Sequence, residues 1–249
     1  MVEVTALILA GGQGTRVQGV LPGIPKVLAP VGGRPFLSYV LDQLHSAGVR
    51  DVVLCTGYRA DQVFAAFGAR YKDLKLRYSC ESEPLGTAGA LRLAITDAAS
   101  EEYLVLNGDS YVHYPLDAFY CWHLERESPC PGSLLLTWSE ETNRFGTVEV
   151  GPAARITAFR EKCPTREAGW INAGFYLLAR SLIESIRLDR NVSLESEMFP
   201  RWIERGLGGC TVRAPLIDIG TPESFAQAES FMAGGARRLA ALENSLSYA

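Results

Sequence analysis

Leu7-Ile8-Leu9-Ala10-Gly11-Gly12-Gln13-Gly14-Thr15-Arg16, with Pro25-Lys26 soon after, is the stretch on which the reading of this chain turns. Residues 6–10 are apolar and predict a short buried strand, and the three glycines that follow permit sharp turns and let a ligand approach bare backbone. Successive N–H groups in such a turn form a nest for phosphate oxygens, to which Arg16 adds a bidentate fork and Lys26 a point charge. Two cations beside one nest suit a triphosphate. The alternative is a plain strand-to-loop connection with both cations solvated. A Rossmann fingerprint would need a third glycine where Val17 stands, and the Gly-Lys-Ser/Thr of a P-loop occurs nowhere.

The 249 residues, 47% of them hydrophobic, suffice for one large α/β domain, and the expected organisation is a single domain over 1–249. A net charge of −4, with 24 basic against 28 acidic residues and no basic run, argues against a nucleic-acid partner. Glu3 stands where a signal peptide would be basic, and no apolar stretch reaches bilayer-spanning length, so a cytoplasmic protein without a membrane partner is expected. The cysteines, at 55, 80, 121, 130, 163 and 210, have no Cys-x-x-Cys spacing and form no metal pattern with the histidines at 45, 113 and 123. Cys55 and Cys80 read as small core residues. There is no Gly-x-Ser-x-Gly elbow of a serine hydrolase.

Beyond the loop, Gly32-Gly33 predicts a turn, and Pro35 opens a helix with Phe36, Leu37, Val40, Leu41 and Leu44 on one face, ended by Gly48. A strand at 51–55, a helix at 60–67 and a strand at 74–80 follow. This alternation predicts a mainly parallel sheet covered on both faces, with ligands at the carboxyl ends of its strands. There Glu81-Ser82-Glu83-Pro84-Leu85-Gly86-Thr87-Ala88-Gly89-Ala90 enters a helix with Thr87 as the expected cap. Glu81 and Glu83 are either solvated or read a base. After the strand at 103–106 comes Asn107-Gly108-Asp109, either a turn or a metal ligand set beside a triphosphate. Leu216-Ile217-Asp218-Ile219-Gly220-Thr221-Pro222 repeats the pattern, with Thr221 as cap and Pro222 at the first helical position. Two strand-end aspartates on one sheet are expected to share an ion. Between them, a helix over 116–126 and a strand over 133–138 continue the fold. Short strands from 145 to 178 then predict an inserted antiparallel layer over the sheet. Glu161-Lys162, Asn172-Ala173-Gly174 and Ser193-Leu194-Glu195 are polar groups beside its apolar runs, with the cation and hydroxyl partners that a sugar phosphate needs.

Taken together, Gly-Gly-x-Gly-Thr-Arg…Pro-Lys, Glu-Pro-Leu-Gly-Thr-Ala-Gly, Asn-Gly-Asp, Glu-Lys, Ile-Asn-Ala-Gly and Ile-Asp-Ile-Gly-Thr-Pro occur in the order found in sugar-1-phosphate nucleotidylyltransferases, which the chain resembles over residues 6–227. The likeness is nearest to the D-glycero-α-D-manno-heptose 1-phosphate guanylyltransferases. No hexapeptide repeat follows residue 227, and Cys163 replaces the proline usual after Glu-Lys. The resemblance implies a Rossmann-like three-layer α/β sandwich with a mainly parallel central sheet and a small antiparallel inserted layer. It implies transfer of GMP from GTP to a sugar 1-phosphate, with pyrophosphate released and Mg²⁺ as cofactor. Arg16, Lys26 and Asp109 would be catalytic, and Asp109 and Asp218 would hold the metal. Leu9, Ala10, Gly11, Gly12, Gly14, Thr15, Glu81, Pro84, Gly86 and Thr87 would bind nucleotide, and Asn107, Gly146, Glu161, Lys162, Asn172 and Glu195 the sugar phosphate. Glu81 stands where uridylyl- and thymidylyltransferases commonly have Gln. A carboxylate accepts both guanine N1–H and the 2-amino group, so guanine is favoured. A mannose-1-phosphate enzyme or another sugar-1-phosphate nucleotidylyltransferase, a catalytically silent nucleotide-sugar-binding subunit and a glycosyltransferase are the alternatives, and homo-oligomerisation is left open. Asn107-Gly108-Asp109-Ser110 is not the Asp-x-Asp of a glycosyltransferase.

Overall fold

The computed structural model describes residues 4–246 apart from 13, 18, 127–129 and 162–166, and at 97 and 235–246 it describes the backbone alone. In chain order the elements are β1 (Thr5–Leu9), β2 (Pro30–Val31), β3 (Arg34–Pro35), α1 (Phe36–Ser46), β4 (Asp51–Thr56), α2 (Ala60–Phe67), β5 (Arg70–Tyr71), β6 (Leu74–Cys80), α3 (Gly86–Ala94), β7 (Glu102–Asn107) and β8 (Ser110–Val112). Then come α4 (Leu116–Leu124), β9 (Gly132–Ser139), β10 (Thr147–Val150), β11 (Ile156–Arg160), β12 (Gly169–Ala179), α5 (Arg180–Glu184), α6 (Phe199–Trp202), β13 (Leu207–Val212), β14 (Leu216–Asp218) and α7 (Pro222–Leu246).

The strands β7, β1, β4 and β6 pair in parallel, as the strand–helix alternation requires. Side chains on each alternate between two faces. Ala6, Ile8, Val52, Leu54, Leu104 and Leu106 join one core with α1, α2, α4 and α7, while Leu7, Val53, Cys55, Tyr103 and Val105 join the other with α3, α5 and α6. Helices thus cover both faces, giving the expected three-layer α/β sandwich. The five apolar residues expected on one face of α1 are all fully buried, each contributing about 2 kcal/mol as an upper figure. Gly48, at φ +83°, ends that helix.

Three local expectations differ from what is observed. The antiparallel strands β10, β11 and β12 do not lie over the sheet; they extend it edge to edge, in the order β11-β10-β12-β7-β1-β4-β6-β5. Continuing the hydrogen-bond ladder satisfies the open edge of β7. Asp218 ends a strand of a separate two-stranded ribbon, β14 on β8, and not of the main sheet. Cys55 is a core residue, whereas Cys80, at the exposed end of β6, is not.

Candidate active site

A cleft of about 530 Å³ opens at the carboxyl ends of β1, β4, β6 and β7. Leu9, Ala10, Gly11, Gly12 and Lys26 form one wall, Glu81, Ser82, Glu83, Pro84, Gly86 and Thr87 another, and Asn107 and Asp109 the floor. The backbone is threaded tightly here. Ala10 N–H donates to the Cys55 carbonyl at 2.8 Å and Gly108 N–H to the Leu9 carbonyl at 2.9 Å. A Cβ on Gly108 would lie 2.8 Å from that same carbonyl oxygen, so only glycine lets β7 leave the sheet beside β1. Gly14, Thr15 and Arg16 stand outside the residues that wall the cleft, in a turn closed by Val17 N–H on the Gly14 carbonyl. Thr15 and Arg16 are exposed, and buried Val17 and Leu21 anchor the turn.

On the floor, the Lys26 ammonium contacts Asp109 Oδ2 directly. Burial works against the charge on Lys26, but Asp109 and Asp218 outweigh it and hold the ammonium above its ordinary value. The same burial opposes ionisation of Asp109, and Lys26 overcomes it, so that carboxyl lies below the usual range. Asp218 is pushed the other way, up, by burial and by the charge of Asp109. The two aspartates meet because β14 pairs with β8, which sets Asp218 opposite Ser110, and Ile219 N–H donates to the Asp109 carbonyl at 3.0 Å. Asp218 Oδ1 accepts from Gly220 N–H at 2.7 Å. Among the described residues no group of three or more metal-binding side chains occurs. A pair of half-buried, mutually repelling carboxylates nevertheless fits Mg²⁺, which takes one or two protein carboxylates and fills its other positions with water and phosphate.

The loop from Glu81 to Thr87 is held by more than its own sequence. Glu81 Oε2 accepts from Leu85 N–H at 3.0 Å, and its carboxylate lies over Gly57, where a Cβ would meet Oε1 at 2.7 Å. Thr87 does not cap α3; the cap position is Leu85, without a side-chain bond. Instead Thr87 Oγ1 donates to Glu195 Oε2 at 2.9 Å and accepts from Leu194 N–H at 2.8 Å. Val192 braces the loop from the same side, its N–H on the Leu85 carbonyl and its carbonyl on Ala88 N–H. Thr221, by contrast, caps α7 as expected, accepting from Ser224 N–H at 3.3 Å.

Near the cleft floor, β12 carries an irregularity between Asn172 and Tyr176. There Gly174, at φ +80°, turns the chain against Asn107, and its N–H donates to Asn172 Oδ1 at 3.0 Å. Asn172 Nδ2 donates to the hydroxyl of fully buried Tyr176 at 2.8 Å, and Asn107 also hydrogen-bonds that hydroxyl. Asn172 N–H donates to the Gly146 carbonyl at 2.9 Å. Asn107, Gly146, Asn172 and Glu195 thus belong to connected hydrogen-bonded networks, whereas Glu161 is exposed beyond β11 and Lys162 and Cys163 lie outside the described residues. Sequence reasoning missed Gly57, Tyr58 and Asn191, which also line the cleft. The position of Gly57 and Tyr58 just after β4 was the available signal; Asn191, which reaches the Pro84 carbonyl from 107 residues away, offered none.

The nucleotidyl transferase family description matches residues 5–234. A D-glycero-α-D-manno-heptose 1-phosphate guanylyltransferase of Aneurinibacillus thermoaerophilus is 33% identical over 225 residues, covering 90% of this chain and 96% of that protein. A mannose-1-phosphate guanyltransferase of Emericella nidulans is 35% identical over 228 residues, covering 88% of this chain and 62% of its own length. The crystal structure of HddC from Yersinia pseudotuberculosis complexed with GMP-PN superposes with a TM-score of 0.81 at 28% identity, over 92% of this chain and 99% of that one. On the strength of both the matched family description and these relatives, the chain belongs to the nucleotidyl transferase family.

Proposed function

We propose that this chain, acting as a single nucleotidyltransferase domain in the cytoplasm, transfers GMP from GTP to D-glycero-α-D-manno-heptose 1-phosphate, giving a GDP-sugar and pyrophosphate. The observation that carries this reading is the cleft itself. Bare glycine backbone and Lys26 line one side, a carboxylate loop the other, and the half-buried Asp109 the floor. It is supported by the extent of the likeness to the heptose enzyme, which spans nearly both chains. Mannose 1-phosphate is the second candidate acceptor, on the likeness to the mannose enzymes.

An oxygen of the sugar phosphate attacks the α-phosphorus of GTP in line with the departing pyrophosphate. The new P–O bond forms as the bond to the β-phosphate bridging oxygen breaks, and no covalent enzyme intermediate is required. Such a step needs two anions aligned and their charge neutralised, more than it needs an acid–base pair. Gly11 and Gly12 offer backbone N–H groups to the phosphates. Arg16, exposed on its turn, closes on the β- and γ-phosphates, while Lys26 serves the α-phosphate. Glu81 and Glu83 face the base, and Asn107, Gly146, Asn172, Glu195, Glu161 and Lys162 serve the sugar phosphate. Asp109 and Asp218 would hold Mg²⁺, which supplies charge neutralisation at the reacting phosphates.

The decisive experiment is pyrophosphate release from a matrix of nucleoside triphosphates and sugar 1-phosphates, with and without chelator. Release with GTP and the heptose phosphate, abolished by chelator, is expected. Preference for mannose 1-phosphate moves the assignment to the second acceptor; release with no sugar phosphate defeats the nucleotidyl-transfer reading, as does full activity in chelator the metal reading.

A further inference from the structure

A second constellation of reactive groups lies apart from the cleft, where β7 and β9 begin and α4 ends. His123, on α4 and 9% exposed, places Nε2 at 2.7 Å from Glu102 Oε1 and Nδ1 at 2.7 Å from Ser133 Oγ. Cys130 Sγ stands 3.4 Å from that Ser133 hydroxyl and 3.1 Å from the Gly132 carbonyl, and the His123 ring, both of its nitrogens already bonded, lies beside it with the Ser133 hydroxyl as the link. Arg126 brings a further positive charge to the thiol. A carboxylate that orients an imidazole, and an imidazole that faces a half-exposed sulfur, are the parts that turn a thiol into a nucleophile. The nucleotidyl-transfer chemistry uses none of these groups.

We propose that Cys130 is a thiolate modification site that takes low-molecular-weight disulfides, held reactive by the His123–Glu102 pair. The Cys130 sulfur attacks one sulfur of the incoming disulfide. A new S–S bond forms to Cys130 as the reagent's own S–S bond breaks, and the expelled thiolate takes a proton from water. The groups around Cys130 divide: the Gly132 carbonyl, which accepts from the thiol, favours the neutral form, whereas His123, Ser133 and Arg126 favour the thiolate. Burial alone would raise its pKa, but hydrogen bonds from His123 and Ser133 and the charge of Arg126 bring the thiol down to about 7. Burial likewise works against the His123 cation, and its bonds to Cys130 and Glu102 carry it up to about 9. The other described cysteines differ. Cys55 and Cys210 are pushed up to about 12 by burial, while Cys80 and Cys121 are more exposed than Cys130 and act as controls for simple access.

The test incubates the whole protein with glutathione disulfide at pH 6.5 and maps the adducts by mass spectrometry. Cleavage after Arg126 separates Cys121 from Cys130. The first mixed disulfide is expected on Cys130. The rate of its alkylation by iodoacetamide is expected to reach half its plateau near pH 7, and His123→Gln to move that midpoint upward. Glu102→Gln, which keeps the imidazole in place, carries the same test should His123→Gln fail to fold; pyrophosphate release by either variant reports an intact fold. A first adduct on Cys80 or Cys121, or a midpoint that neither substitution moves, overturns the proposal.

Discussion

At the residue scale the site is dominated by one largely buried ion pair. Lys26 and Asp109 each owe their charge to the other, so removing one strands the partner in a poor solvent. Lys26→Met is expected to lose activity and also about 3–5 kcal/mol of stability. Adding Asp109→Asn should restore much of that stability without restoring turnover, a pattern that thermal melts and kinetics together reveal. Arg16 is the opposite case, exposed on its turn. Its replacement by Ala should leave the melting temperature unchanged and lower kcat about a hundredfold, comparable to losing one preorganised transition-state donor. An unchanged kcat would remove Arg16 from the mechanism. Glu81 holds Leu85 N–H and is proposed to read the base as well. In Glu81→Gln the amide oxygen can keep the Leu85 N–H bond, which leaves the NH₂ to confront the donor edge of guanine. The ratio of kcat/KM for GTP over UTP should then fall by about one to two orders of magnitude. Glu83→Gln, measured in parallel, tells whether the neighbouring carboxylate carries that selectivity instead.

At the element scale the base-side loop and the segment from 191 to 195 behave as one unit. Gly86 sits at φ +77°, and a Cβ there would lie 2.4 Å from the Val192 carbonyl oxygen. Gly86→Ala therefore combines left-handed strain of about 1–3 kcal/mol with displacement of a neighbouring backbone. Weaker GTP binding by calorimetry is the expected result. Thr87→Val is a finer probe. It removes the acceptor of Leu194 N–H and a donor to Glu195, costing about 1–3 kcal/mol, while leaving the residue that faces the base untouched. If Glu195 serves the sugar phosphate, KM for that substrate should rise while KM for GTP changes little. Equal rises in both would assign Thr87 to holding the loop alone.

At the scale of the whole molecule, the sandwich separates two chemistries on its sheet: a charged cleft at the carboxyl ends of the parallel strands, and the His123–Glu102–Cys130 group where β7 begins. The pH dependence of stability reports the second. His123 is raised from 6.5 to about 9, so its contribution is complete below pH 6.5 and is lost as pH rises through 9. Cys130 is lowered from 9.0 to about 7, so its contribution is complete above pH 9 and is lost as pH falls through 7. Both groups are charged only between those limits. The melting-temperature advantage of the native chain over Cys130→Ser should accordingly be larger at pH 8 than at pH 6. An advantage that does not change over that interval would exclude the ion pair.

What the sequence determined by itself was everything carried by local pattern. The continuous apolar runs of β1, β4 and β7 and the helical face of α1 follow from local side-chain pattern, which acts over a few residues and needs no distant partner. The place of Gly11 and Gly12 in the cleft wall and the Thr221 cap were legible for the same reason. Tertiary structure alone decided the rest. Asp218 joins Asp109 through a ribbon separate from the main sheet, because β14 finds the free edge of β8 and not an edge of the sheet. Thr87, read locally as a cap, bonds a carboxylate 108 residues away. The antiparallel strands continue the sheet because an open edge of β7 offers unpaired backbone groups. In each case the competing partner for a polar group came from far along the chain, and only packing brings it within hydrogen-bonding distance.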